Sequence, residues 1–461
     1  MPQRERKSHG PDLSSLIVRP EYQLYVLGFN QLTWIPPHCW RFSNGRVVSD
    51  IIWRQTADGT GMKTWSEVDS AASSQSRLGH LDSIRGIASI IVLVAHVWSM
   101  NDDAFRSSHH QLHAIGSFSD LLLYCLSRFE EAGRSAVILF FVLSGFVLAY
   151  SLKKNPLPYS GYAVKRIFRI YPTFFVAILI SYLLHSLIGI HHMSDSEWAR
   201  TGVDIADTSL PMLAKTLLLW GTNATHGLDG VDWSLVHEMR VSLIFPLLLL
   251  VVTRYRWLAV AGLFVLSVIC TEATFSYRGL VLTGFQEPTF PETLVDTSYF
   301  VVFFAAGAAL ALDRDRVVYV LIRLPRLVKA MLFAAVAVMF LKTDANLHTA
   351  AGCILDYMRG IGSLIVIALS LRAGSFQRAL QHRGPVWLGR ISYSLYLVHL
   401  PIIYIADQFA FEVPMIVTGP LVIVLSIGAA TVLAELVEFP SIKFGKRFVT
   451  QEPRLAPVTS A

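Results

Sequence analysis

Ten apolar stretches follow one another along this 461-residue chain, at 84–100, 133–152, 171–190, 232–252, 257–275, 295–312, 327–341, 354–371, 387–409 and 415–436. With some tilt, stretches of this kind cross about 30 Å of hydrocarbon, the seventh being the shortest. A backbone crossing lipid must satisfy its own hydrogen bonds, and a run of apolar residues does so as a helix. The expected fold is therefore an all-α integral membrane protein of about ten transmembrane helices. Only 16% of the residues are charged, against about 25% in soluble domains. Aromatics at 11%, ten of them Trp, suit two interfacial belts.

The net charge of +6 suggests nucleic acid only until its distribution is considered. Alternate connections collect the basic residues: Lys153, Lys154, Lys165, Arg166 and Arg169, then Arg254 and Arg256, then Arg314, Arg316, Arg323, Arg326 and Lys329. Arg372, Arg378, Arg383 and Arg390 follow, then Lys443, Lys446 and Arg447. The opposite loops carry Asp102, Asp103, Glu130, Glu131, Asp195, Glu197, Asp204 and Asp207. Lys/Arg excess marks the cytoplasmic side, so both termini are expected there. A missed or invented span would scramble the alternation from that point on.

Three parts follow: a tail at 1–80 with no spanning stretch and no assigned role, a ten-span domain at 81–440 and a short cytosolic tail at 441–461. The start is polar and basic (Arg4, Arg6, Lys7) with no apolar run behind it, so no cleavable signal peptide is expected. Cys39, Cys125, Cys270 and Cys353 are scattered without metal-ligand spacing; neither a disulfide nor a metal site is expected. Asn223-Ala224-Thr225 is an N-glycosylation triplet in the longest outer loop.

Chemistry concentrates in five polar islands. The first span is apolar except for Arg85 and His96. Eleven residues are close to three turns, so the two lie within roughly 20° of one face and about 16 Å apart. Intramembrane ionisable groups are costly and mark functional sites by default. His96 can serve as a general base or as an interhelical hydrogen-bonding group. Asp82, three residues before Arg85, is expected to pair with it.

The second span contains Ser144-Gly145, a polar notch or a packing notch. Arg166 and Arg169, at i and i+3, present two guanidinium forks suited to phosphate oxygens; ordinary topology-setting charge is the alternative. The fourth span opens with Asp232-Trp233-Ser234 and carries Glu238 at a depth similar to that of His96. Glu238 would orient that ring or handle a proton itself, or else sit in a structural ion pair. In the ninth span Ser392, Tyr393, Tyr396 and His399 recur at helical spacing and line either a polar cavity or a packing face. Arg359 in the eighth needs a partner that the sequence does not name.

In order, these islands resemble the acyltransferase-3 family of multispanning O-acyltransferases over residues about 78–440. Leu81 to Ala88 with His96 is similar to the family's first-span motif, and Phe140 to Gly145 to its Phe-Phe-x-x-Ser-Gly element. Arg166 and Arg169 match Arg-x-x-Arg, Trp233 to Glu238 match Trp-Ser-Leu-x-x-Glu, and Gly389 to His399 match Gly-x-x-Ser-Tyr-Ser-Leu-Tyr-Leu-x-His. Met239 departs from the Gln that often follows the family's Glu, and the tail has no counterpart.

The resemblance implies transfer of an acyl group, usually acetyl, from acyl-CoA to a hydroxyl, with no metal. Arg85, Arg166 and Arg169 would bind the donor; His96 and Glu238 would be catalytic, His96, positioned by Glu238, either deprotonating the acceptor hydroxyl or forming a transient acyl adduct. Asp82, Ser144, Gly145, Trp233, Ser234, Tyr393, Tyr396 and His399 would support them. The acceptor expected is a lipophilic small molecule, as in secondary-metabolite tailoring, on an internal, endoplasmic-reticulum-like membrane if the chain is eukaryotic. The alternative is O-acetylation of a surface or lipid-linked glycan. From other classes, a proton-coupled transporter would use the same buried groups as a relay, and a non-enzymatic sensor would use the Trp-rich tail.

Overall fold

The computed structural model describes the backbone of residues 26–28, 31–33, 41–43, 46–48, 65–99, 118–188, 209–218, 228–278, 290–341, 350–372, 374–410 and 413–450. The chain divides into two units, Met1–Gln75 and Ser76–Ala461. In the first, β1 (Val26–Gly28) pairs antiparallel with β2 (Gln31–Thr33), Val26 opposite Thr33. There too β3 (Arg41–Ser43) pairs with β4 (Arg46–Val48), Arg41 opposite Val48. Helix α1 (Trp65–Ser99) begins before the boundary and ends after it.

Every regular element described in the second unit is a helix. After α1 come α2 (Phe118–Lys154), α3 (Tyr159–Ile188), α4 (Leu210–Leu217), α5 (Asp232–Tyr255), α6 (Trp257–Arg278), α7 (Phe290–Leu312) and α8 (Arg314–Arg323). Then follow α9 (Arg326–Leu341), α10 (Ala350–Ser370), α11 (Ser375–Leu380), α12 (Arg383–Ala410) and α13 (Met415–Leu433). A π-helical turn, Ala434–Glu438, joins α13 to α14 (Phe439–Thr450).

Among the described residues, eight helices are long and apolar enough to cross a membrane: Gly79–Ser99, Ala132–Lys154, Tyr159–Ile188, Asp232–Tyr255, Leu294–Leu312, Gly352–Ser370, Arg383–Phe409 and Met415–Val449. The other two apolar stretches of the sequence also lie on helices, α6 and α9. Large apolar side chains such as Leu247, Leu250, Ile416, Val424 and Leu436 face outward. A water-soluble protein rarely exposes so much contiguous apolar surface; a bilayer is the solvent that such a face requires.

Packing centres on α2 and α7. A Cβ on Gly145 would collide with the carbonyl of Phe304, and one on Gly307 with that of Val142. The two backbones therefore touch, as small residues allow in membrane helices. Phe141 packs at a tilt against Phe300 and Phe304 around this contact, with ring centroids 5.0 and 5.4 Å away. Arg256 alone links α5 to α6, with a φ of 51°.

Candidate active site within the helix bundle

A second backbone contact builds the site. Gly86 of α1 lies on Leu388 and Gly389 of α12, and Gly389 lies on the carbonyl of Asp82. His96 is ten residues beyond Gly86, and His399 ten residues beyond Gly389. Equal rises of about 15 Å along the two helices bring both imidazoles to one height. His96 Nδ1 is 3.0 Å from His399 Nε2, and the ring centroids are 5.1 Å apart. Nδ1 of His399 donates to the carbonyl oxygens of Tyr396 at 2.8 Å and Leu395 at 3.2 Å. His399 is 1% exposed, whereas His96 is only half-buried.

Toward the Arg85 end of α1 lies a cluster of charge. Arg85 is within electrostatic range of Arg169, Glu238, Asp82 and Arg166. Glu238 Oε1 accepts from the Ser144 hydroxyl at 3.1 Å and from Arg166 Nη2 at 3.4 Å. The same Nη2 donates to Ser242 Oγ at 2.8 Å. Arg169 donates to Glu438 Oε1 at 2.5 Å, and Ser394 donates to its other oxygen at 2.6 Å. Glu438 is wholly buried in the π-helical turn, a widened turn of a kind frequent at functional sites. Tyr393 bonds the carbonyl of Ile170 at 2.8 Å and sets its ring beneath the Arg169 guanidinium. Among the described residues, Arg85 has neither a hydrogen-bond partner nor a carboxylate within ion-pair distance.

Tyr396 lies between the two stations. Its hydroxyl is 2.7 Å from that of Ser234, its ring meets His399 on one side, and the edge of Phe140 meets it on another. Trp233 packs against His237, Phe300 and the guanidinium of Arg134, which lies 5.2 Å from the indole centroid. In the loop before α5, burial and then the neighbouring Asp232 carboxylate push Asp229 well above the usual carboxylate range.

The arginines expected to bind a donor come together, as do His96, Tyr396 and His399. Two expectations are corrected. Glu238 does not meet His96: it is committed to Ser144 and Arg166, and His399 bonds the ring instead. Residue count gives depth along a helix but not which neighbour faces a side chain, and the long Arg166 reaches the carboxylate. Asp82 and Arg85 form no ion pair; Asp82 sits at the Gly389 crossing, within electrostatic range of Arg85 and Arg169. Gly145 is the packing notch already described, while Ser144 turns toward Glu238. Asn223 lies outside the described residues.

The sequence reading missed Glu438, although an acid ending an apolar run signals a cation nearby. It also missed the partner of Arg359, which is Asp356 one turn earlier, bonded at 2.8 Å. Arg134 bonds the same carboxylate at 2.7 Å, and the Tyr299 hydroxyl does so at 3.1 Å.

Fold and site together define an integral, multi-pass membrane protein with a histidine pair, one ring buried and one half-buried, and a group of arginines further along α1. Residues 78–436 match the family model described as an acyltransferase domain, and the chain belongs to the acyltransferase-3 family. It is a membrane acyltransferase. No curated protein and no solved structure matches it.

Proposed function

We propose that the protein moves an acyl group, acetyl in the simplest case, from acyl-CoA to a hydroxyl of a lipophilic acceptor, with His96 as the base. The observation that carries this reading is the arrangement along α1. A half-buried imidazole stands eleven residues, about 16 Å, from a guanidinium that has no hydrogen-bond partner among the described residues.

Coenzyme A is a polyphosphate with a long thin arm ending in the thioester. Arg85 and Arg166 are disposed to take its phosphates by charge-assisted hydrogen bonds, leaving the arm to run along α1 toward His96. Of the three arginines expected there, Arg169 is held at 2.5 Å by the wholly buried Glu438, whereas Arg166 meets the more accessible Glu238 only at 3.4 Å, which gives Arg169 the holding role. A donor entering at this end, where the basic loops gather, fits a cytoplasmic source of acyl-CoA.

His96 Nε2 takes the acceptor's hydroxyl proton as the oxygen attacks the thioester carbonyl. The tetrahedral adduct collapses, the C–S bond breaks, and the departing thiolate takes the proton from His96. Such base catalysis contributes typically 10²–10⁴-fold, and holding donor and acceptor together adds to it. The Phe140 edge and the Tyr396 ring offer an apolar wall for a lipophilic acceptor.

The test is transfer of radiolabelled acetyl from acetyl-CoA into a lipophilic extract by membranes carrying wild-type or His96→Ala protein at equal expression. Transfer is expected with the first and lost by about 100-fold or more with the second. Equal transfer by both would remove His96 from the mechanism. Labelled product in a water-soluble glycan fraction would move the acceptor to the sugar class.

A further inference from the structure

The hydrogen bonds behind His96 form a chain with one direction. A carbonyl oxygen only accepts, so the contacts from Tyr396 and Leu395 require a hydrogen on His399 Nδ1. A neutral imidazole carries one ring hydrogen, which leaves His399 Nε2 as a bare acceptor. That nitrogen lies 3.0 Å from His96 Nδ1, so His96 carries its hydrogen there and its Nε2 keeps the free lone pair. The Val92 carbonyl, one turn earlier on α1, also accepts from the His96 ring, and among the described residues neither ring is ion-paired to a carboxylate. The backbone of α12, acting through His399, thus favours a basic Nε2 on His96. The burial pattern agrees, with the 1% exposed ring behind and the half-buried ring in front.

We infer that His399 is the positioning residue of the reaction: it holds His96 in the Nδ1–H tautomer, aims Nε2 at the acceptor and bonds the imidazolium that forms during transfer. In other hydrolases and transferases a carboxylate commonly fills this place; here a second imidazole, itself anchored to two carbonyls, does so without bringing a charge into the apolar bundle. When His96 Nε2 takes the acceptor proton, Nδ1–H becomes a stronger donor to His399 Nε2. That bond then stabilises the cation until the thiolate reclaims the proton. The inference rests on the reading of His96 as the base.

The test uses the full chain in lipid, with 15N-labelled histidine and [14C]acetyl-CoA as the probe donor. In the wild type, the His96 ring, assigned by its loss in His96→Ala, is expected to show hydrogen on Nδ1. His399→Phe keeps a ring but removes the acceptor; it should release that tautomer and lower kcat by about 100-fold, with KM for acetyl-CoA unchanged. His399→Gln, whose amide oxygen can accept from Nδ1–H, should restore both the tautomer and much of the rate. A wild-type His96 protonated on Nε2 overturns the inference, as does wild-type kcat in His399→Phe. So do Phe and Gln variants with equal loss and an unaltered tautomer. If His96→Ala transfers acetyl normally, the base itself is wrong; if His96→Ala is inactive while His399→Phe is normal, only the positioning role fails.

Discussion

Two of the polar islands inside the bundle differ in one respect. In the first, the buried Asp356 carboxylate takes Arg134, Arg359 and the Tyr299 hydroxyl together. Arg134 in turn lies over Trp233 and Phe300. In the second, Arg166 and Arg169 each hold a carboxylate, yet Arg85 beside them has none within ion-pair distance among the described residues. Charge in hydrocarbon is costly wherever it sits. A closed island offsets that cost internally, while an open one leaves a cation for which the phosphates of the proposed donor would supply the countercharge.

The harshest way to break the comparison is Asp356→Ala. It removes the carboxylate that Arg134 and Arg359 share in the closed island, and losing one partner of a buried pair costs about 3–5 kcal/mol. Thermal unfolding in detergent should fall sharply or the protein should fail to accumulate. An Asp356→Ala protein of normal stability and reduced donor affinity would make that island functional.

Arg85→Gln should behave the opposite way. Hydrogen bonds to charged groups are worth about 1.5–3 kcal/mol, so acetyl-CoA binding by calorimetry should weaken by roughly 10- to 100-fold with thermal stability unchanged. Arg169→Gln sharpens the contrast, because its carboxylate partner Glu438 is wholly buried. It should lower stability and affect donor affinity less than Arg85→Gln does. Equal loss of affinity in both would return Arg169 to the donor site.

The smallest expected effect is that of Tyr396→Phe. It removes the bond to Ser234 at 2.7 Å, worth about 1 kcal/mol of stability, and leaves the backbone carbonyl that anchors His399 in place. A larger fall in transfer than in stability would mean that the phenol contacts the acceptor.

The sequence carried the fold class, the helical position of every apolar stretch and most side chains of the candidate site. Hydrocarbon imposes that legibility: each polar residue inside an apolar run stands out against its neighbours. Pairings were less legible. Glu238 and His96 share a depth, but Ser144 and Arg166 face the carboxylate. Arg359 needed a partner, and Asp356 lies one turn away on its own helix. Glu438 lies just past the tenth apolar stretch and went unread, and the structure makes it the counterion of Arg169.

By itself, then, the sequence determined that this chain is a helical membrane protein of the acyltransferase-3 kind, and that Arg85 and His96 share one face of one helix. Periodicity and polarity suffice for that, because they act within a single helix. Only the tertiary structure decided that His399 backs His96, that Glu438 holds Arg169 and that Arg85 has no hydrogen-bond partner among the described residues. Those facts depend on how helices cross, and the crossing of α1 and α12 is set by two glycines, Gly86 and Gly389, that let the backbones touch. From sequence alone, neither glycine reveals which helix it meets.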